Sequence, residues 1–491
     1  MEQPTENGVE LPLDRNLTIL YGSQTGCAQD VAERIGREAR RRHFRAKVIA
    51  MNDYDKARLI HEKLAVFVCS TTGQGDEPDN MKKFWKFLLR KNLPPDLLSQ
   101  MDYAVFGLGD SSYTKFNYPA KKLHKRLSQF GARSIVPRGD ADDQHYLGVD
   151  GTLDPWLENL WTTIMDHYPL PPGLSIISAD TLFPPSFRLR FLCNGDERPP
   201  MESGGCEDGF TVQVVRNERM TADDHFQDVR HIELEVVEGE VSYNPGDVAI
   251  LQPHNLPSDV SDFLQTIGWS DLADDPFVID PNQQGDFLNR TLPAHWPRVL
   301  TLRRLFEDHL DVFSVPRRSF FEILAFFTQD QRQTEKLREF ASAAGQDDMY
   351  AYCQRVRRTL AEVLFDFSSA KVPLDYVLDL IPELRARQFS IASAAQSHPS
   401  QIHLCVAIIK YKTKIRKIRR GVCTKWMATL KPGDEIHHVK ITRGTMRAPG
   451  SPTTPLIMIG PGVHINIYSP FTLSKEKRNH SSRLIPITCD T

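Results

Sequence analysis

Leu17–Asp30 reads LTILYGSQTGCAQD, and the parsing of this stretch decides the fold. Leu17–Gly22 is an apolar run of buried-strand type, and the AQDVAERIGREARRRH that begins at Ala28 is amphipathic at helical spacing. Between them Ser23, Gln24, Thr25 and Gly26 make a turn of small and hydroxylated residues. Strand, turn and helix in this order form the repeating unit of an α/β sheet. Three further apolar runs follow: AKVIAM (46–51), LAVFVCST (64–71) and YAVFGLG (103–109). They alternate with the amphipathic stretches DNMKKFWKFLLRK and PAKKLHKRLSQFG, and DPWLENLWTTIMDHY closes the unit at residue 168. Residues 16–168 are therefore expected to form a doubly wound domain, a parallel sheet with helices on both faces.

Outward from that domain the composition changes. Residues 169–206, with PLPPGL, FPPSF and CNGDERPPMESGGC, are rich in Pro, Gly and charge and read as a linker. Residues 207–455 begin and end as β-structure (FTVQVVRNERM, VRHIELEVV and GDVAILQP, then RQFSIAS and QIHLCVAIIKYKT). A helical stretch at about 257–385 interrupts them, so it reads as an insertion into a β-domain. The chain has 491 residues, 40% hydrophobic and 25% charged, and a net charge of −3, which excludes a general attraction to nucleic acid or membrane. The eight cysteines form no CxxC, which argues against a disulfide framework or zinc site, and the histidines form no HExxH, so no metal is expected. Residues 1–16 lack an apolar core for a signal peptide, and no run suits a membrane helix, so the expectation is a cytoplasmic monomer.

The chemistry gathers on loops that follow strands, the edge at which open α/β sheets bind ligands. In Ser23–Ala28 the backbone N–H groups can surround a phosphate at a helix N-terminus; Ser23 and Thr25 serve equally well as helix caps. The loop contains no lysine, so neutral donors are expected to hold the phosphate. CSTTGQGDEPDN and FGLGDSSYTKFN follow the next two strands; their glycines let backbone approach a flat ligand, and Tyr113 can stack on a ring or simply pack. Asp76, Glu77, Asp79, Asp110, Asp140, Asp142 and Asp143 form an acidic rim suited to a basic electron partner, or a solvated loop set. In the β-domain, RARQFSIAS offers Arg387, Phe389 and Ser390, and RRGVCTKWMATL opens a helix after Gly421. The basic run 410–421 reads as a solvated hairpin, and REARRRHFR (37–45) as the exposed end of the first helix.

SQTGCA, STTGQGD and GLGDSSYTKFN resemble the FMN-binding loops of the diflavin reductases, the family of cytochrome P450 reductase. The resemblance covers about 17–462 and implies an α/β flavodoxin-like doubly wound domain followed by a ferredoxin-reductase-type FAD β-barrel with an inserted helical domain. It assigns the FMN phosphate to Ser23, Gln24, Thr25, Gly26, Cys27 and Ala28, and one side of the ring to Ser70, Thr71, Thr72 and Gly73. Many relatives carry tyrosine where this chain has Thr72, so that face is expected to be less shielded. The other side falls to Leu108, Gly109, Asp110, Ser111 and Ser112, then Tyr113 as the stacking ring, then Thr114, Lys115, Phe116 and Asn117, with Asp143 beyond. For FAD it implies Arg387, Gln388, Phe389 and Ser390 at ring and phosphate, with Ser390 assisting hydride transfer. Gly421, Val422, Cys423 and Thr424 fall at the pyrophosphate, with Arg357 contacting FAD from the helical insert.

SVPRRSFFE and the polar N-terminus are most similar to the cytosolic, unanchored branch of the family. That likeness implies electron flow from NADPH through FAD and FMN to an anamorsin-type iron–sulfur protein in cytosolic iron–sulfur assembly. Leu456–Gly462 (LIMIGPG) reads as the first strand and turn of an NADP-binding domain, where the family continues TGVAPF. Here VHINIYSPF follows, and residues 463–491 read as a divergent tail. The expectation is a C-terminally truncated form with its NADP-binding α/β domain largely absent, unable to use NADPH itself; the alternative is a flavin-loaded protein that docks the acceptor.

Overall fold

The computed structural model describes residues 15–193, 209–282 and 295–444, with short pieces at 5–6, 9–10, 292–293 and 446–447. The proposed start of an NADP-binding domain and the tail lie outside the described residues.

In the first half, β1 (Asn16–Gly22), α1 (Cys27–Arg41), β2 (Arg45–Ala50), β3 (Leu64–Ser70) and β4 (Asp102–Gly109) follow one another. They are completed by α2 (Tyr118–Gln129), β5 (Gly139–Asp142) and α3 (Asp150–His167). The strands pair in parallel in the order β2-β1-β3-β4-β5, the flavodoxin-like doubly wound order. Their continuous apolar runs follow from burial on both faces. Val31, Ile35 and Ala39 of α1 join Leu160 and Ile164 of α3 over one face. Leu123 and Leu127 of α2 cover the other with Phe84 and Met101. This arrangement leaves the β1, β3 and β4 loops together at one edge.

Helix α1 ends differently from the sequence expectation. Among Arg37–Arg45 no residue is exposed, and Arg41 and His43 are buried. The following proline-rich segment folds back on this helix: its Ser175 carbonyl meets the His43 Nε2 at 2.8 Å, and Arg41 Nη1 donates to the Ser178 and Thr181 carbonyls. Carbonyls of a chain without regular structure need donors, and the arginines supply them.

In the second half six antiparallel strands curl into a barrel: Arg387–Ser390, Val248–Leu251, Glu435–Thr442, Phe210–Arg219, Val229–Glu238 and Gln401–Ala407, in that order. A bridge between Ile391 and Leu404 joins the first strand to the last. Val212, Ile232, Ala249, Leu404 and Met427 fill the interior. The inserted helices pack around Phe263, Phe306, Phe321 and Leu337. Phe277–Pro281 and Val299–Leu300, within the stretch expected to be helical, are strands; Phe277–Pro281 lies between Val299–Leu300 and Phe187–Phe191 and pairs with both.

Candidate flavin sites

Gly26 is the N-cap of α1 at φ 91°, and its N–H donates to Ser23 Oγ at 3.0 Å. The second loop meets the first where Ser23 N donates to Asn80 Oδ1 at 2.8 Å, and where Gln24 and Asp79 exchange two hydrogen bonds. Thr71 N reaches the Leu108 carbonyl at 2.9 Å, and Asp143 N the Gly109 carbonyl at 2.8 Å. Asn117, at φ 52°, donates to the Ala141 carbonyl, and a Cβ at Gly109 would stand 2.6 Å from its Oδ1. Ser23–Ala28, Ser70–Gly73, Leu108–Asn117 and Asp143 therefore meet at one edge. Thr71 Oγ1 and Asn117 Oδ1 are buried with no hydrogen-bond partner among the described residues. Orphan polar atoms on two facing loops, beside Gly73 at φ 46°, fit a flat ligand with donors and acceptors along its rim, as FMN has. Tyr113 leaves 59% of its surface exposed at this edge.

Most of the acidic rim is committed within the domain. Glu77 pairs with Lys122, and Asp140 with Arg138 at 2.7 Å. Asp142 accepts from Ser111 N, Asp110 from Ser112 N, and Asp143 is exposed. Asp79 accepts from Lys82 and Gln24 and, across the domain boundary, from Gln388 at 2.9 Å. Burial alone would raise its carboxyl, but these donors outweigh burial and hold it below its ordinary range.

Arg387–Ser390 forms the barrel strand expected, with Gln388 and Ser390 exposed and Arg387 and Phe389 half-buried. Gly421 caps the helix Val422–Thr429, where Ile409 N donates to Thr424 Oγ1 at 3.1 Å. Burial pushes the Cys423 thiol up to about 12 against the pull of the Arg387 guanidinium, so the two motifs expected at FAD share one locality. The buried Arg419 pairs with Glu362 at 2.7 Å, and its Nη2 has no partner among the described residues. An unmet guanidinium N–H beside Gly421 fits a pyrophosphate. The rest of hairpin 410–420 is largely exposed, whereas Arg419 is anchored to the Val356 carbonyl at 3.2 Å. Arg357 is not helix-borne: it stands at φ 53° in the turn before the helix Leu360–Asp366, which Thr359 and Glu362 cap reciprocally. Arg358 is spent on Asp366 and the Tyr352 ring.

Two features escaped the sequence. Arg317 and Arg385, from the second half, reach the first loop: Arg317 Nη1 donates to the Gly26 carbonyl at 3.1 Å, and Arg385 to the Gln29 side chain. No local signal marks residues that meet across 291 and 356 positions. His231, Glu233 and His403 on adjacent strands place ligand-type atoms within 4.8 Å of one another, a cluster that the spacing of the sequence hides. Glu233 there already accepts from Arg216 and His403 meets Gln401. Among the described residues no helix is long and apolar enough to cross a membrane.

A flavodoxin family model matches residues 19–156, and an FAD binding domain model matches residues 206–426. The chain is 44% identical over 490 residues to NADPH-dependent diflavin oxidoreductase 1 of Xenopus laevis, covering 96% of this chain and 80% of that protein. It is 45% identical over 481 residues to the protein of the same name from Danio rerio, covering 94% and 78%. The Arabidopsis thaliana protein of that name is 38% identical over 500 residues, covering 96% and 79%.

Proposed function

The chain belongs to the NADPH-dependent diflavin oxidoreductases, and from that membership we propose which residues hold the flavins and where the electrons go. Its flavodoxin-like domain binds FMN, its FAD-binding domain binds FAD, and NADPH is the family's electron donor. Bound FAD supplies acceptance of a two-electron hydride, and bound FMN supplies release of single electrons.

In this reading Ser23–Ala28 hold the FMN phosphate, while Ser70–Gly73 and Leu108–Asn117 flank the ring, with Tyr113 over one face and Asp143 at the rim. Arg387–Ser390 and Gly421–Thr424 hold FAD, and the exposure of Ser390 on its strand supports the role of its hydroxyl in assisting hydride transfer. Arg357, whose turn abuts the Arg419 hairpin through Val356, is a further FAD contact. The observation that carries the reading is Asp79. Its Oδ2 accepts from Gln24 of the phosphate loop and from Gln388 of the FAD strand, both at 2.9 Å. One carboxylate thus couples the two proposed flavin sites, and electrons need cross only the boundary it spans.

We propose that electrons leave from the FMN edge to an anamorsin-type iron–sulfur protein in cytosolic iron–sulfur assembly. The exposed Tyr113 and Asp143 at that edge are the support for protein docking there. A cytoplasmic location agrees with the free thiols of Cys27, Cys69, Cys353 and Cys423.

A second reading follows from Val463–Phe471, VHINIYSPF, which stand where the family pattern runs TGVAPF. In it, these 491 residues hold both flavins and dock the acceptor but take no hydride from NADPH. Anaerobic addition of NADPH to the purified chain separates the two. Bleaching of the flavin absorbance supports self-sufficient reduction. No bleaching with NADPH, but full bleaching with dithionite, supports the second reading. A purified chain without any flavin absorbance overturns both.

A further inference from the structure

The loop Ser23–Ala28 carries no cationic side chain, yet FMN ends in a phosphate that bears up to two negative charges at neutral pH. Two guanidinium groups reach this loop from the second half of the molecule. Arg317 precedes the helix Arg318–Leu324 and donates to the Gly26 carbonyl at 3.1 Å and the Thr25 carbonyl at 3.4 Å. Arg385 lies two residues before the strand Arg387–Ser390 and donates to Gln29. A Cβ built at Gly26 would stand 3.1 Å from Arg385 Nε and 3.5 Å from Arg317 Nη1.

These positions are electrostatically incomplete. The first turn of α1, a helix of 15 residues, is the positive end of its dipole, which favours anions and disfavours cations. Among the described residues neither Arg317 nor Arg385 pairs with a carboxylate, whereas the adjacent Arg318 pairs with Asp154 at 2.6 Å and Arg34 with the same Asp154 at 2.7 Å. Asp30, in that first turn, takes its hydrogen bond from Ser319 at 2.5 Å. Asp311 feels Arg317 only at a distance, and burial pushes its carboxyl up. Two half-buried cations beside a positive helix end call for an anion, and the backbone between them suits a phosphate.

We propose that Arg317 and Arg385 complete the FMN phosphate site across the domain boundary, so that one flavin is held jointly by both halves of the molecule. The inference rests on reading Ser23–Ala28 as the phosphate loop. It carries a consequence through linkage: conditions that part the domains weaken FMN binding, and FMN strengthens their docking to the same extent.

The test is FMN binding to the full chain, freed of FMN and kept loaded with FAD, titrated by quenching of flavin fluorescence. Riboflavin, which lacks the phosphate, is the comparison ligand. Arg317→Gln combined with Arg385→Gln is expected to weaken FMN on the order of ten- to a hundredfold and to leave riboflavin affinity and FAD content unchanged. Arg317→Lys with Arg385→Lys keeps the charge and is expected to stay within about threefold of the parent. Unchanged FMN affinity in the glutamine pair overturns the proposal. So does a matching loss of riboflavin, or equal weakening in the lysine pair. Thr25→Glu places an anion on an exposed loop residue and separates the two readings. If it weakens FMN while the glutamine pair does not, the loop holds the phosphate without the arginines. If neither change weakens FMN, the phosphate loop itself is misassigned.

Discussion

Asp79 shows how one side chain can do several jobs that its sequence context does not separate. In the sequence it belongs to an acidic set; in the fold it receives Lys82, Gln24 and Gln388 and so ties the first loop to the barrel strand. Asp79→Ala is expected to leave FMN and FAD contents unchanged and to slow electron passage between the flavins severalfold. Flash photoreduction followed by flavin-specific absorbance reads that rate, and an undiminished rate would count against the bridge. The sign of the pH effect follows from its depressed carboxyl. Its contribution is complete above the ordinary value of 3.8 and fades only as pH falls through the lower folded value. Docking through Asp79 is thus insensitive to pH across the neutral range. At this scale residue types were legible, because Ser, Thr and Gly are what a turn at a helix start requires. Their partners were not: Gln388 lies 309 positions from Asp79, and Arg358, beside the proposed Arg357, turns to Asp366 instead.

Elements were legible where one period dominates. LTILYG, AKVIAM, LAVFVCST and YAVFGLG fall within a residue of β1–β4, because strands covered on both faces must be apolar throughout. Phe277–Pro281 escaped because its pairing depends on Phe187–Phe191, which lies in a proline-rich stretch. The helical insert also holds a titrating element. His309 ends the π-turn Leu305–His309 and stacks on Trp296 at 4.5 Å. Burial, reinforced by His295, His254 and Arg304 and opposed by Asp308, lowers its imidazole to about 4. The unfolded chain protonates it first, near 6.5, so stability falls as pH drops from about 6.5 to about 4 and levels off below. The expected loss is about 1–3 kcal/mol. Thermal melting across that range should show it, and His309→Gln should flatten the profile; an unaltered slope would assign the loss to other groups.

At the scale of the whole molecule the two halves meet through charge and hydrogen bonds. Arg318–Asp154, Ser319–Asp30, Arg41–Glu322 and Asp79–Gln388 all cross the boundary. Such an interface is weaker at high salt than an apolar one. Arg318→Glu sets two carboxylates against each other at Asp154, in a pair whose side chains are only 12% and 18% exposed. The variant is expected to favour separated domains at low salt, as the parent does at high salt. Small-angle scattering should record a larger radius of gyration, and an unchanged radius would show that other contacts hold the docked form. By itself, the sequence determined the strands and helices of the first domain, and its motifs carried the resemblance that gave the two flavin-domain types and their order. It did so because strand and helix periods, turn chemistry and the short motifs that carry a resemblance are all local properties of a chain. Only the tertiary structure decided that Arg41 is covered by carbonyls, that Arg357 stands in a turn, and that Arg317 and Arg385 stand over Gly26. Those outcomes depend on which surfaces meet. The energy of a charge beside a helix end, or of a donor beside a carbonyl, exists only once distant segments have been brought within a few ångströms.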